Sequence, residues 1–112
     1  MEIQTARRTL RHKIDIDVEV TESLSGIQIK ARTKDLSIYG CGVDTKIPFQ
    51  SGTKVKVKMV YAGQEIAAFG QVMYGRPDIG MGIAFTGMAP NDRKLLDDWF
   101  AQQPHFQEKD KP

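Results

Sequence analysis

Apolar and polar residues alternate along most of the chain, and a period of two places them on opposite faces of a β-strand. In the run IDIDVEV four aliphatic residues alternate with three acids, and in KVKVKMVY lysines alternate with valines and a methionine. Turn-forming sequences with serine, glycine or proline separate the runs, as they do in β-hairpins. The predicted strands cover residues 14–20, 27–32, 41–45, 54–61, 65–74 and 79–85.

The last predicted strand carries small residues on one face. Gly80, Gly82 and Ala84 alternate there with larger apolar residues. Because glycine has no side chain, such a face leaves room for another element to approach closely.

The pattern changes after Gly87, where a helical period replaces the strand period. Between Asn91 and Gln103 the apolar residues form one helical stripe, and Pro104 ends the helix. The sequence therefore predicts a mainly β fold, a six-stranded antiparallel β-barrel with a C-terminal α-helix that packs on the barrel or plugs one end. The stripe consists of Leu95, Leu96, Trp99 and Phe100, and we expect its two aromatic residues to lie in the core.

Length and composition fit a single domain that needs no disulfide or metal. The chain has 112 residues, a formal net charge of +2 and one cysteine, Cys41, which we expect to be buried without a redox role. His12 and His105 are too far apart for zinc-binding spacing. No apolar run is long enough to span a membrane, and the first residues lack the apolar core of a secretory signal. We therefore expect a cytoplasmic protein without membrane insertion.

None of the common catalytic motifs is present. The patterns GxSxG, HExxH and the P-loop do not occur, and Gly80 with Gly82 gives only a GxG without a third glycine or a following helix. His12 lies in a basic segment without an obvious orienting partner. The sequence therefore predicts a binding protein and not an enzyme.

The first candidate for binding is a cluster of arginines near the N-terminus. Residues 7–13, RRTLRHK, carry four full positive charges and no acid. Arginine presents a planar fork of donors that can grip a phosphate or the O6/N7 edge of guanine. A local basic cluster on a nearly neutral protein favours a small anion over a long nucleic acid. Arg7, Arg8 and Arg11 are the candidate residues, although basic N-termini that bind nothing are common.

The second candidate is the predicted turn DLSIYG, residues 35–40. In an extended chain Asp35 and Ser37 point to the same side, where a carboxylate and a hydroxyl could read the N1–H and N2–H₂ edge of guanine. Gly40 permits a turn or a close approach of a ligand to the main chain. The alternative is an ordinary loop in which Asp35 and Ser37 bond to nearby backbone N–H groups. Tyr39 and Tyr74 could line such a site, but we expect structural roles for both.

Two motifs separated by one hairpin resemble those of the PilZ domain. They are RxxxR, from Arg7 to Arg11, and DxSxxG, with Asp35, Ser37 and Gly40. The resemblance covers roughly residues 5–103, including the strand GMGIAF and the C-terminal helix. It implies a six-stranded barrel that binds the bacterial second messenger cyclic di-GMP and requires no other cofactor. Arg7 and Arg11 would clamp phosphate and guanine with help from Arg8, Asp35 and Ser37 would bind a guanine, and Gly40 would shape the turn.

On this basis we expect a receptor or adaptor with three parts. Residues 1–12 form a flexible arm, residues 13–103 the barrel and helix, and residues 104–112 a flexible tail. Ligand binding would order the arm against the barrel and change a surface that a partner protein reads. The protein would be a monomer or a ligand-dependent homodimer. Two alternatives remain open: a small barrel that binds nucleic acid, which the acidic face of residues 15–19 disfavours, and a protein-interaction module without a ligand.

Overall fold

Strands and a helix follow one another along the chain in the predicted order. The computed structural model describes residues 12–102, in which all strand pairs are antiparallel and the sheet closes into a barrel in the order β1-β2-β3-β6-β5-β4. The predicted fold class, a mainly β six-stranded antiparallel barrel with a C-terminal helix, is confirmed. The elements are β1 (Asp17–Glu22), β2 (Gln28–Ser37), β3 (Gly40–Asp44), β4 (Lys54–Tyr61), β5 (Gln64–Arg76), β6 (Gly80–Met88) and α1 (Pro90–Ala101).

The alternating pattern accounts for the core of the barrel. On β4, Val55, Val57 and Met59 are almost fully buried, whereas Lys54 and Lys56 are exposed. Burying aliphatic side chains in this way contributes about 1.5–3 kcal/mol for each one. Cys41 also lies in the core, as predicted from its residue type.

The first strand begins later than the alternation predicts. Ile14 and Ile16 are buried as expected, but their backbone lies outside β1. Thr33 on β2 takes the place of a ladder partner there, because its hydroxyl donates to the carbonyl of Ile14 and accepts the N–H of Ile16. This segment therefore packs into the core without regular strand pairing.

The second strand is longer than predicted because its alternation changes phase. The pairing of β2 with β3 shifts register between Thr33 and Asp35, a bulge-like irregularity of the kind that reverses which side chains face inward. Thr33 is buried, and the next buried side chain is Leu36, three residues later. The turn predicted over residues 35–40 is consequently shorter, since Asp35, Leu36 and Ser37 belong to β2 and Gly40 begins β3.

The helix packs its apolar stripe against the barrel core. Leu96 and Trp99 are fully buried and Phe100 nearly so, which confirms that the apolar stripe belongs to the core. The Trp99 indole N–H donates to Gln64 Oε1 at 2.9 Å, and its ring meets Tyr61 edge-on with centroids 5.2 Å apart. Within residues 12–102 no helix is long and apolar enough to cross a membrane.

The hairpin between β4 and β5 holds a residue in an unfavourable conformation. Ala62 has φ 53° and Gly63 has φ 79°, the combination that a two-residue type I′ turn requires. Left-handed backbone costs an ordinary L-residue about 1–2 kcal/mol, and asparagine tolerates it better than alanine. Ala62→Asn should therefore raise the free energy of unfolding by about 0.5–1 kcal/mol, as measured by urea denaturation. Ala62→Val should lower it, and equal stability of the two variants would contradict this account of the turn.

Candidate ligand-binding site

The N-terminal arginines lie outside the described residues, and the residue that follows them pairs with the barrel. Arg7, Arg8 and Arg11 precede His12, which forms an isolated antiparallel bridge with Leu36 of β2. The His12 N–H donates to the Leu36 carbonyl at 2.8 Å, and the Leu36 N–H donates to the His12 carbonyl at 2.9 Å. The described chain therefore begins at β2, beside Asp35 and Ser37.

Asp35 lies on the outer face of β2 and is fixed by a neighbouring strand. Its Oδ1 accepts a hydrogen bond from the Gly42 N–H at 2.9 Å. A Cβ at position 42 would lie 2.9 Å from the same Oδ1, so the carboxylate rests directly over the glycine backbone. A carboxylate offers about four acceptor positions, and the bond to Gly42 uses one of them while it orients the group.

Ser37 and Gly40 hold the turn between β2 and β3. Ser37 is only 1% exposed, and its Oγ accepts the Tyr39 N–H at 3.1 Å and donates to the Gly40 carbonyl at 3.4 Å. A Cβ at position 40 would overlap the carbonyl oxygen of Ile83 on β6. Gly40 therefore allows β3 to approach β6 closely. The local backbone bonds considered as an alternative role are present at both Asp35 and Ser37.

Two glycines extend this region across the barrel surface. In the strand registers Asp35 pairs with Gly42, Gly42 with Gly82 and Gly82 with Tyr74. The Tyr74 ring covers Gly82 so closely that a Cβ there would overlap it, which is the close approach that the small residues of β6 predicted. Because neighbouring strands are about 4.8 Å apart, the row from β2 to β5 spans roughly 14 Å. We call this surface the glycine shelf: Gly42 and Gly82, with the Asp35 carboxylate at one edge and the Tyr74 ring at the other.

Tyr74 is a candidate site residue, although the sequence favoured a structural role for it. Its side chain remains 46% exposed although it covers Gly82. A register shift in the pairing of β5 with β6 between Val72 and Tyr74 accompanies this outward position. The sequence signal that could have identified Tyr74 was the small face of β6, since an aromatic residue on the adjacent strand can lie over a glycine.

Two cationic side chains of β2, Arg32 and Lys34, bond to residues outside that strand. Arg32 donates to the carboxylates of Asp15 and Asp17, and the hydrogen bond that it donates to Asp15 raises the pKa of the Arg32 guanidinium above its ordinary value. Lys34 Nζ donates to the Ile79 carbonyl at 3.1 Å. Among residues 12–102 no group of three His, Cys, Asp or Glu side chains could hold a metal ion.

The family model of the PilZ domain matches residues 5–102. The chain belongs to the PilZ domain family. PilZ domains form a family of cyclic di-GMP receptors that act as binding or adaptor modules and not as enzymes. Some members of the family do not bind the nucleotide.

Solved PilZ structures have the same fold. The PilZ domain of CeSA from a cellulose-synthesizing bacterium has a TM-score of 0.69 and 22% identity, with 87% of this chain and 100% of that chain covered. The Bacillus subtilis inhibitor of motility (MotI/DgrA) has a TM-score of 0.70 and 18% identity, with 88% of this chain and 51% of that chain covered. This PilZ chain thus spans about half of the Bacillus protein. A comparison with curated proteins gives no match.

Because Gly40 packs closely against β6, we expect a side chain at this position to destabilise the fold whether or not a ligand is bound. Gly40→Ala places a methyl group against a backbone carbonyl that cannot rotate away, and it should lower the free energy of unfolding by about 2–3 kcal/mol, as overpacking does elsewhere. Gly87→Ala is the matched control, because a Cβ there has an ordinary contact of 3.9 Å with Phe69. Chemical denaturation should separate the two variants, and equal stabilities would show that β3 and β6 are not so closely packed.

Proposed function

We propose that this PilZ domain is a cyclic di-GMP receptor in which Arg7, Arg8 and Arg11 close over the glycine shelf. The observation that carries the proposal is the His12–Leu36 bridge, because it joins the arginine segment to β2 between Asp35 and Ser37. We therefore expect the two halves of the motif, 24 residues apart from Arg11 to Asp35 in sequence, to act at one surface.

The arginine segment is long enough to reach every part of the shelf. Arg7 is five residues before His12, and an extended chain covers about 3.3–3.6 Å per residue, so its Cα can lie up to roughly 17 Å away. The shelf is of similar width. Guanidinium groups on this segment would bind the phosphates of the ligand through charge-assisted, paired hydrogen bonds.

The barrel residues would act on the bases. Asp35, oriented by the Gly42 N–H, accepts hydrogen bonds from the N1–H and N2–H₂ groups of a guanine. Ser37 contributes by holding the turn, since its hydroxyl bonds to the backbone at Tyr39 and Gly40. Tyr74 offers a half-exposed ring on which a base can stack, and base stacking on an aromatic side chain contributes about 1–3 kcal/mol.

The arm expected over residues 1–12 would then end before His12, which already pairs with Leu36, and ligand binding would order the arginines against the barrel and present a changed surface to a partner protein. A dianion that bridges the arginines and the Asp35 carboxylate would favour the closed arrangement because it binds that arrangement more strongly. The receptor would act as a monomer or as a ligand-dependent homodimer, in the cytoplasm.

The charge distribution supports a small ligand over a nucleic acid. The Lys58 Nζ lies 3.3 Å from Glu19 Oε1 and 4.0 Å from Glu65 Oε2. Arg32 is paired with two aspartates. Nucleic-acid binding by a small barrel needs a continuous positive groove. On the described part of the barrel, the acids beside Lys58 and Arg32 break the continuity of the positive charge.

Titration calorimetry with cyclic di-GMP tests the proposal. The wild-type chain should bind with micromolar affinity, near −8 kcal/mol. Arg7→Ala and Asp35→Ala should each weaken binding by about 10- to 100-fold, since a hydrogen bond to a charged group contributes about 1.5–3 kcal/mol. Lys54→Ala removes a charge from an exposed strand face away from the shelf and should change affinity little. A folded wild-type protein that releases no heat at high micromolar ligand would contradict the proposal.

The stacking role of Tyr74 has a control on the same strand. Tyr74→Ala should weaken binding by about 5- to 100-fold, the factor that corresponds to one stacked base, whereas Tyr74→Phe should bind like the wild type. Phe69→Ala removes a ring that is 60% exposed on β5 but lies outside the shelf, so its affinity should be unchanged. Equal affinities of the two alanine variants would exclude Tyr74 from the site.

A further inference from the structure

The outer face of β4 carries three lysines, and only one of them is neutralised by acids. Lys58 forms ion pairs with Glu19 and Glu65. Lys54 and Lys56 are exposed, and neither forms an ion pair within the described part of the chain. The strand register explains the difference, because the residues paired with Lys54 and Lys56 on the flanking strands are uncharged. The beginning of β4 therefore carries two positive charges that no described side chain compensates.

An exposed aromatic ring lies beside these two lysines. Phe69 of β5 is the direct partner of Lys56 in the strand register, and its side chain is 60% exposed. On its other side Phe69 pairs with Gly87 of β6, which has no side chain to cover the ring. An exposed ring is unfavourable in water, so its burial by a partner stabilises the complex.

A depression opens next to Phe69, where the pairing of β5 with β6 is irregular. The register shifts between Phe69 and Gly70, so that Thr86 is an extra residue on β6, as in a β-bulge. The depression has a volume of about 380 Å³, and Lys54, Phe69, Gln71 and Thr86 are among the residues that line it. This volume lies within the range of sites that take up small organic groups, and it accommodates a large apolar side chain.

These features together favour an acidic segment of another protein as the occupant. A depression takes up a single protruding side chain, which the smooth surface of a bilayer does not offer. A nucleic acid requires positive charge that continues along the surface, and the acids at Lys58 interrupt it. Because the barrel is closed, its strands offer no edge to which a partner strand could add. Recognition must therefore use side chains, with carboxylates near the lysines and an apolar group against Phe69.

We propose that Lys54, Lys56 and Phe69, with the depression beside them, bind a segment of a partner protein in which an apolar side chain stands between carboxylates. We call these three residues and the depression the lysine–phenylalanine surface. It lies outside the glycine shelf and requires no nucleotide, so the inference goes beyond the proposed function. The Phe69 ring supplies most of the affinity, because aromatic anchors dominate interfaces and exposed ion pairs contribute less. The lysines select for acidic partners.

An NMR titration of the whole chain, without nucleotide, tests this inference. The probe is a short synthetic peptide with one phenylalanine between two runs of glutamate. It should shift the amide signals of Lys54, Phe69 and Thr86 with a common midpoint, and added salt should move that midpoint to higher peptide concentration. A peptide with lysine in place of glutamate should cause no shifts. A peptide with alanine in place of phenylalanine should bind at least fivefold more weakly.

Variants of the chain separate this surface from the candidate ligand site. Phe69→Ala should weaken peptide binding at least tenfold, and Lys56→Glu should weaken it at least fivefold. Lys30→Ala is the matched control, because it removes an exposed lysine on β2, which β1 separates from β4; its peptide affinity should stay within twofold of the wild type. Tyr74→Ala, which should weaken nucleotide binding, should leave peptide binding unchanged.

The outcomes distinguish this inference from the proposed function. A folded wild-type chain that shows no shifts at millimolar peptide would overturn the inference, whatever the result with cyclic di-GMP. Wild-type peptide affinity of Phe69→Ala would overturn it as well. Tighter binding of anionic phospholipid vesicles or of a single-stranded oligonucleotide to the same residues would show that the surface does not serve an acidic protein segment.

Discussion

The pairing of His12 with Leu36 is the interaction on which the account of this PilZ domain depends. Leu36 is fully buried, and its position fixes the two polar residues beside it. Asp35 then lies over Gly42, and Ser37 closes the turn into β3. The same pairing brings the start of the described chain to this point of the barrel, and the His12 ring extends the contact to Phe100. A core residue thereby organises the candidate site and its connection to the helix.

The glycine shelf shows how the barrel keeps a surface open. Glycine in a strand costs roughly 0.5–1 kcal/mol relative to alanine, and Gly42 and Gly82 stand side by side on neighbouring strands. Larger side chains at these positions would displace the Asp35 carboxylate or the Tyr74 ring. The two glycines therefore lower the stability of the strands, but they leave room for the Asp35 carboxylate, which accepts hydrogen bonds, and for the Tyr74 ring, which can stack.

Local patterns predicted much of the fold, and non-local contacts explain what they missed. The β4 strand was predicted with its observed bounds because lysine and aliphatic residues alternate without interruption. The end of β2 was missed because the register shift after Thr33 changes the phase of alternation. The motif residues were predicted from their chemistry and spacing, and of these only Asp35, Ser37 and Gly40 lie within the described residues. The position of Tyr74 over Gly82 and the contact of His12 with Phe100 depend on strand register and helix placement, which no short stretch of sequence specifies.

The most direct test of the central claim is a backbone amide NMR titration of the whole chain with cyclic di-GMP. If the arginine segment closes over the shelf, amide shifts of residues 7–11 should move together with those of Asp35, Gly42, Gly82 and Tyr74. The heteronuclear NOE values of residues 7–11 should also rise to those of the barrel on saturation. Shifts confined to the lysine face of β4, or an arginine segment whose signals do not respond while the shelf is occupied, would contradict the account.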